Sequence, residues 1–389
     1  IWISHEHPDH FHFPSLKYII SQSKNPSNIE ILCKQDLRTE QDILKTLKSI
    51  GFKKFRLLDH LEEYKLNKRI SLRIYHHRHI DSALLLFNED MPLLINLNDC
   101  EINPNECDFI KRRFGEFPIL LNQFSIAGFN GIFSKKLISK EKDCILENMI
   151  NQHKKLGAST TIPFASFFWF SSPDNKFLNQ YHNTLEEVSK KFKKAKLNLY
   201  CLEPPSNFVN LKEIIKKVNY PSTELLEIDS SAEFKNIDNE LVIQVIKKRI
   251  SKLISISNKF IFYFFDSNLI FLIKDTSTFI NINFRKQIVK KIDVLNKKNL
   301  IYMEINSQPL YFAFANSFGI QTLGVSGRYK FVNCKSVPKI WKFIRIISSL
   351  DNNKTPLRLS TLLRPYFYKM LFSRRFTLLS QVNQQFVRF

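Results

Sequence analysis

The chain has 389 residues, 44% of them hydrophobic, with 58 Lys and Arg against 36 Asp and Glu, for a formal net charge of +22. That length and apolar content exclude a disordered or fibrous chain and allow one large or two medium domains. Six cysteines without a Cys-x-x-Cys pair (Cys33, Cys100, Cys107, Cys144, Cys201 and Cys334) exclude a dense disulfide framework and read as reduced thiols of a cytoplasmic protein.

The apolar run Ile1-Trp2-Ile3 reads as a strand and leads into Ser4-His5-Glu6-His7-Pro8-Asp9-His10-Phe11-His12-Phe13. Extended geometry throws His5 and His7 to one side at the carboxyl end of that strand. Pro8 then breaks the strand, and Asp9 and His10 come round in the following turn to face the same space. Neutral imidazole suits zinc, iron and similar borderline metals, and a carboxylate suits them where a second ion or a bound water must be held. A lone histidine beside an apolar strand is ordinarily a core or surface residue. Four ligand-type residues so close together point instead to a metal site.

His5-Glu6-His7-Pro8-Asp9-His10 resembles the His-x-His-x-Asp-His motif of the metallo-β-lactamase superfamily. The resemblance implies an α/β chain folded as an αββα sandwich that binds one or two divalent metal ions, zinc first, with iron or manganese as alternatives. It also implies that His5 and His7 hold one ion, that Asp9 and His10 hold the other, and that a bridging hydroxide does the chemistry. Many hydrolases of the superfamily continue with glycine, whereas this chain has Phe11, His12 and Phe13. That variant looks more like the branch containing CMP-N-acetylneuraminate hydroxylase and the N-acylphosphatidylethanolamine phospholipases D. Members normally have strands before the motif, so amino-terminal strands are expected to be missing from a chain that begins at Ile1.

Further along, residues 14–23 carry an apolar stripe at helical spacing, 29–33 reads as a short buried strand, and 40–50 repeats Ile43, Leu44, Leu47 and Ile50 before stopping at Gly51. A strand at 55–58 completes an alternation that indicates an α/β layered domain. Residues 70–75 alternate apolar and polar and lead into His76-His77-Arg78-His79-Ile80-Asp81-Ser82. Strands at 83–87 and 93–97 follow, joined by a turn at 88–92, and the second ends at Asn98-Asp99-Cys100. In the superfamily a ligand histidine precedes such a hairpin and a bridging aspartate closes it. His79 and His77 both stand at a compatible distance before Asp99 and, by parity, on one side of an extended segment; His79 is taken first and His77 next. Asp81 is an additional ligand or a partner of one.

A strand at 117–121 delivers Asn122 to Gly131, and an aromatic stretch runs from 161 to 175. The resemblance implies a last ligand histidine, carried by many relatives, where Ser172 stands, so His182 or His153 would have to replace it. The aromatic run reads as core packing. Lys-rich helices at 140–156 and 183–196 present solvated basic faces, and 197–201 reads as a last strand. A boundary is expected between 205 and 238, giving a metal-binding domain at 1–235 and a C-terminal α+β accessory domain at 236–389. The second begins with a helix at 240–256, followed by strands at 260–265, 269–274 and 278–284. The glycines of 319–329 read as turns and close packing. Residues 339–389 hold ten Lys and Arg against Asp351 alone, interleaved with aromatics. That basic region would suit a membrane surface or nucleic acid, or would pack as an amphipathic terminal element. No apolar run reaches the roughly 20 residues of a membrane span.

Three functions remain open on the sequence. The first is a metal-dependent hydrolase in which Asp9 orients the attacking hydroxide, with the positive charge favouring a small-molecule or lipid-like anionic substrate; a Lys-rich solvated surface accounts for that charge equally well. The second is an oxygenase-type partner domain, as the resemblance to the sialic-acid hydroxylase implies. No Cys-x-His or Cys-x-x-His occurs for a Rieske cluster, so that activity would need the expected missing amino-terminal segment or a separate electron donor. The third is a decayed, non-catalytic binding protein.

Overall fold

The computed structural model describes residues 1–5, 7, 9–35, 43–77, 81–129, 131–201, 235–256, 268–283, 286–293, 302–316 and 319–332. Parallel strands β1 (Glu30–Lys34) and β2 (Lys54–Leu58) form a small first sheet. The amino end lies along its free edge, with Trp2 bridging Leu32 in parallel and the Ile3 N–H donating to the Leu32 carbonyl at 2.9 Å. Helices α1 (Phe13–Gln22) and α2 (Leu44–Ile50) cover one face. Gly51, at φ +118°, ends α2 in a left-handed cap, its N–H reaching the carbonyls of Leu47 and Lys48.

The second sheet holds β3 (Glu63–Lys65), β4 (Ile70–His76), β5 (Ser82–Asn88), β6 (Met91–Asn96), β7 (Ile119–Gln123) and β8 (Thr160–Phe164) side by side in chain order. Pairing is antiparallel from β3 to β6 and parallel from β6 to β8. Helices α3 (Pro104–Phe114) and α4 (Lys135–Leu156) make the crossovers, and α5 (Leu185–Lys194) follows.

Alternation along the strands sets the layers. Ile31 and Cys33 of β1 pack with Leu16 of α1 and Leu47 of α2. Leu32, on the opposite side, joins Leu58, Leu72 and Ile74 in a core between the two sheets. The other face of the second sheet buries Tyr75, Ala83, Leu85, Phe87 and Ile95 with Ile110 of α3 and Leu156 of α4. Strands buried on both faces lack a polar side, as expected for sheets covered by helices. The order helix, sheet, sheet, helix is an αββα sandwich.

A third sheet, in the order β11 (Ile288–Ile292), β10 (Thr278–Asn283), β9 (Asn268–Ile273), β12 (Tyr302–Ile305), β13 (Tyr329–Val332), has its own core with α6 (Asn239–Ile256), α7 (Ser307–Ala315) and α8 (Gly319–Ser326). It meets the sandwich through the Arg328–Asp174 ion pair at 2.9 Å and through the Tyr329 hydroxyl, which donates to the Phe129 carbonyl at 2.7 Å. Among the described residues no helix is long and apolar enough to cross a membrane.

Several local expectations need correction. The hairpin turn is tighter than 88–92: Asn88 pairs with Met91 across Glu89 and Asp90, both at positive φ, because a two-residue turn of that handedness matches the strand twist. Residues 197–201 form no full strand. Lys196 sits at φ +56° and only Leu199 bridges to Thr161. The glycines of 319–326 lie in a helix, where burial of Ile320 and Leu323 outweighs the low helical propensity of Gly319 and Gly324. Only Gly327, at φ +65° and against Phe129 and Leu178, matches the expectation of a turn at close quarters. The strand at 260–265, most of the 205–238 boundary and the basic region 339–389 lie outside the described residues.

Candidate metal centre

The carboxyl ends of β1 and of the parallel run β6–β8 open on the same edge of the sandwich, and the motif residues sit there. After Trp2 and Ile3 have paired with β1, a turn closes at His7, whose carbonyl accepts the N–H of His10 at 3.0 Å and of Phe11 at 2.7 Å. Pro14, in the first turn of α1, then starts the helix. The turn folds His10 back over His5, with ring centroids 4.2 Å apart. From the second sheet, β6 ends at Asn96; in the turn beyond it Asn98, an Asn at φ +52° of the kind that tolerates left-handed backbone, aims Asp99 at the same point.

The distances are short. Asp99 Oδ2 lies 2.9 Å from His10 Nε2 and 3.9 Å from His5 Nε2. His5 Nε2 is 2.9 Å from His7 Nδ1 and 3.9 Å from Asp81 Oδ1, and Asp9 Oδ2 is 3.3 Å from His10 Nε2. One donor atom each from His5, His10 and Asp99 falls within 4.8 Å of the others. These are nitrogen and oxygen donors of the type that zinc, iron or manganese accepts.

Neighbouring residues fix the rings. Ser4 Oγ lies 3.1 Å from His5 Nδ1, Asn98 Nδ2 donates to Ser4 Oγ at 2.7 Å and stands 3.2 Å from His10 Nδ1, and Ser82 Oγ donates to the Ser4 carbonyl at 2.7 Å. The tautomer in which His5 gives Nδ1–H to Ser4 Oγ is the one that leaves its Nε2 lone pair free. Ser4, Ser82 and Asn98 were not singled out in the sequence. Small polar residues gave no spacing signal, since their contacts join positions 4, 82 and 98 across two sheets.

The electrostatics separate the two rings that touch. Burial, helped by the charge of His10 and His7, lowers the His5 pKa to about 2 and keeps that ring neutral. For His10, burial opposes charge, but hydrogen bonds to Asp9 and Asp99 outweigh it and raise the pKa to about 10. Asp9 is opposed by burial and favoured by His10, and its pKa falls to about 2. Burial pushes the Asp81 carboxyl up, against the attraction of His77 and Lys34.

The other sequence candidates lie outside the His5–His10–Asp99 group, His77 at its border through Asp81. His77 is buried; its Nδ1 lies 3.1 Å from Glu106 Oε1, and its Nε2 has no hydrogen-bond partner among the described residues. Its N–H donates to the Asp81 carbonyl at 3.0 Å, closing the loop that contains His79, a residue outside those described. His153 points into the α4–α5 core, with Nδ1 2.8 Å from Thr161 Oγ1. His182 is packed against Phe124, Phe168 and Trp169. Neither joins the His5–His10–Asp99 group.

No protein-family model matches the sequence, and no curated protein sequence matches it. Among solved structures the chain is similar to a metallo hydrolase of the hyperthermophilic archaeon Ignicoccus hospitalis, with a TM-score of 0.35 at 15% identity over 52% of this chain and 76% of that one. It is also similar to a diiron β-hydroxylase of Streptomyces venezuelae, with a TM-score of 0.37 at 11% identity over 52% of this chain and 43% of that one. A metallo-β-lactamase fold protein of Bacillus subtilis gives a TM-score of 0.36 at 11% identity over 53% and 74%.

Proposed function

We propose that this chain is a metal-dependent hydrolase acting on an anionic substrate, a phosphorylated small molecule, a nucleotide-sugar or a lipid headgroup. The observation that carries the reading is the convergence of His5, His10 and Asp99 donor atoms within 4.8 Å, from two sheets, at the open edge of the fold. His5, His7, His10, Asp9 and Asp99 would hold the metal, with Asp81 and either His77 or His79 contributing. A divalent ion there supplies Lewis acidity and brings the pKa of water toward about 7. Asp9, ionised and the more exposed of the two carboxylates on His10, would orient water and accept its proton. His5, neutral, offers a lone pair without first losing a proton. The net charge of +22 favours approach of anions.

The test is elemental analysis of protein purified without chelators, followed by assay against phosphomonoesters, phosphodiesters and nucleotide-sugars before and after metal removal. About one or two ions per chain, with turnover that disappears on stripping and returns on reconstitution, is expected. Full activity of the stripped protein would refute the reading, and less than about 0.1 ion per chain would favour the decayed binding protein.

A second reading has one observation in its favour. Two imidazoles and one carboxylate are also the donor set of non-haem iron oxygenases. Stoichiometric iron and oxygen uptake on adding a reductant would select it, with an electron donor supplied by a separate protein.

A further inference from the structure

Glu106 is the third residue of α3 and completes a reciprocal cap: Asn103 Oδ1 accepts from the Glu106 N–H, and Glu106 Oε2 accepts from the Asn103 N–H at 2.8 Å. A cap of this kind needs one carboxylate oxygen and ordinarily leaves the other to solvent. Here the side chain is buried, and Oε1 is occupied as well. It accepts from the Tyr75 hydroxyl at 2.9 Å and lies 3.1 Å from His77 Nδ1. The imidazole on the far side of that contact is 2% exposed, and its Nε2 meets no partner among the described residues. A buried polar nitrogen without a partner is costly and calls for an explanation. His77 opens the segment whose other end, Asp81, comes within 3.9 Å of His5 Nε2.

We infer that Glu106 is a positioning residue of the metal centre: it holds His77 as the Nδ1–H tautomer and leaves the Nε2 lone pair for an ion. The inference rests on the metal-binding reading above. A carboxylate behind a ligand histidine fixes its tautomer and orientation and raises its basicity. Helix capping alone accounts for Oε2 but not for the ring on Oε1 or the unpartnered Nε2. Because α3 carries the carboxylate, the start of that helix and the orientation of His77 are set by one side chain.

The experiment compares wild type, Glu106→Gln and Asn103→Ala by zinc affinity in chelator competition, by melting temperature, and by two-dimensional 15N–1H spectra of the histidine rings in the metal-free protein. Glu106→Gln should weaken zinc binding by about 10- to 100-fold and convert His77 from a pure Nδ1–H ring to a mixture. Asn103→Ala, which breaks the same cap without touching His77, should lower the melting temperature and leave affinity within about twofold of wild type. Equal zinc affinity in wild type and Glu106→Gln, or a wild-type His77 protonated on Nε2, would overturn the inference. If wild type binds no zinc, the metal reading fails and takes the metal role of Glu106 with it; its hold on the His77 ring is then read from the spectra alone, and an unchanged tautomer in Glu106→Gln overturns that hold while a lost one upholds it. Should Glu106→Gln not fold, Glu106→Asp, which keeps the charge but draws it back from His77, is read by the same criteria.

Discussion

Replacing Asp99 by Asn should destabilise the metal-free protein in a pH-dependent manner. The His10 ring is held at a pKa of about 10, against 6.5 for a free histidine, by two carboxylates. That difference corresponds to about 5 kcal/mol of preference for the charged ring in the folded state. Asp99 is the nearer partner, at 2.9 Å against 3.3 Å for Asp9, and its side chain is 26% exposed against 63%. We assign it about half of the effect and, after allowance for screening at the open edge, expect Asp99→Asn to cost about 2 kcal/mol. The sign follows from the direction of the shift. A histidine whose folded pKa is raised contributes stability that is complete below pH 6.5 and is lost as the pH climbs through 10. Urea melts of chelator-treated wild type and Asp99→Asn should therefore differ most near pH 6 and converge above pH 10. A difference of the same size at both ends would refute the imidazolium–carboxylate account.

Metal loading should release about one proton per ion at neutral pH, because His10 must lose its proton to ligate; calorimetry in buffers of different ionisation enthalpy reads this directly. His5→Ala and His10→Ala should each retain less than about a tenth of an ion per chain while keeping the wild-type circular dichroism spectrum. His5 pulls stability the opposite way from His10. Its folded pKa of about 2 means that stability present above pH 6.5 is lost progressively as the pH falls from 6.5 to about 2, so His5→Gln should flatten the acid limb of the pH–stability curve. Leu85→Ala, at a site with no exposure between the second sheet and α3, should cost about 2–5 kcal/mol in the same melts.

The metal-centre residues divide according to how local their signal is. His5, His7, Asp9 and His10 stand within one turn of chain, and their chemistry is visible as a string. Asp99 was reached through the strand–turn–strand pattern before it, although Pro92 was read as part of the turn when it lies inside β6. The sequence puts His79 ahead of His77, although parity places both on one face; His79 lies outside the described residues, and burial and the Glu106 contact mark His77. The sequence did not mark Glu106 at all; Asn103-Pro104-Asn105-Glu106 opens α3, and nothing in that string shows that the second carboxylate oxygen reaches Tyr75 and His77. The four-layer order was implied by the motif. Its physical basis, strands buried on both faces, appears in the runs at 83–87 and 93–97, where apolar residues hardly alternate.

The motif hangs from the first sheet and Asp99 from the second, so an ion bound between them would act as a rivet through the sandwich. Its grip would be transmitted to the inter-sheet core around Leu32, Leu58, Leu72 and Ile74 rather than confined to a loop. Thermal tolerance of the whole sandwich should then track free metal concentration, rising by RT ln(1 + [M]/Kd) as the ion saturates. A chaperone-rich, metal-poor cell would see this protein as a softer body than a metal-replete one does.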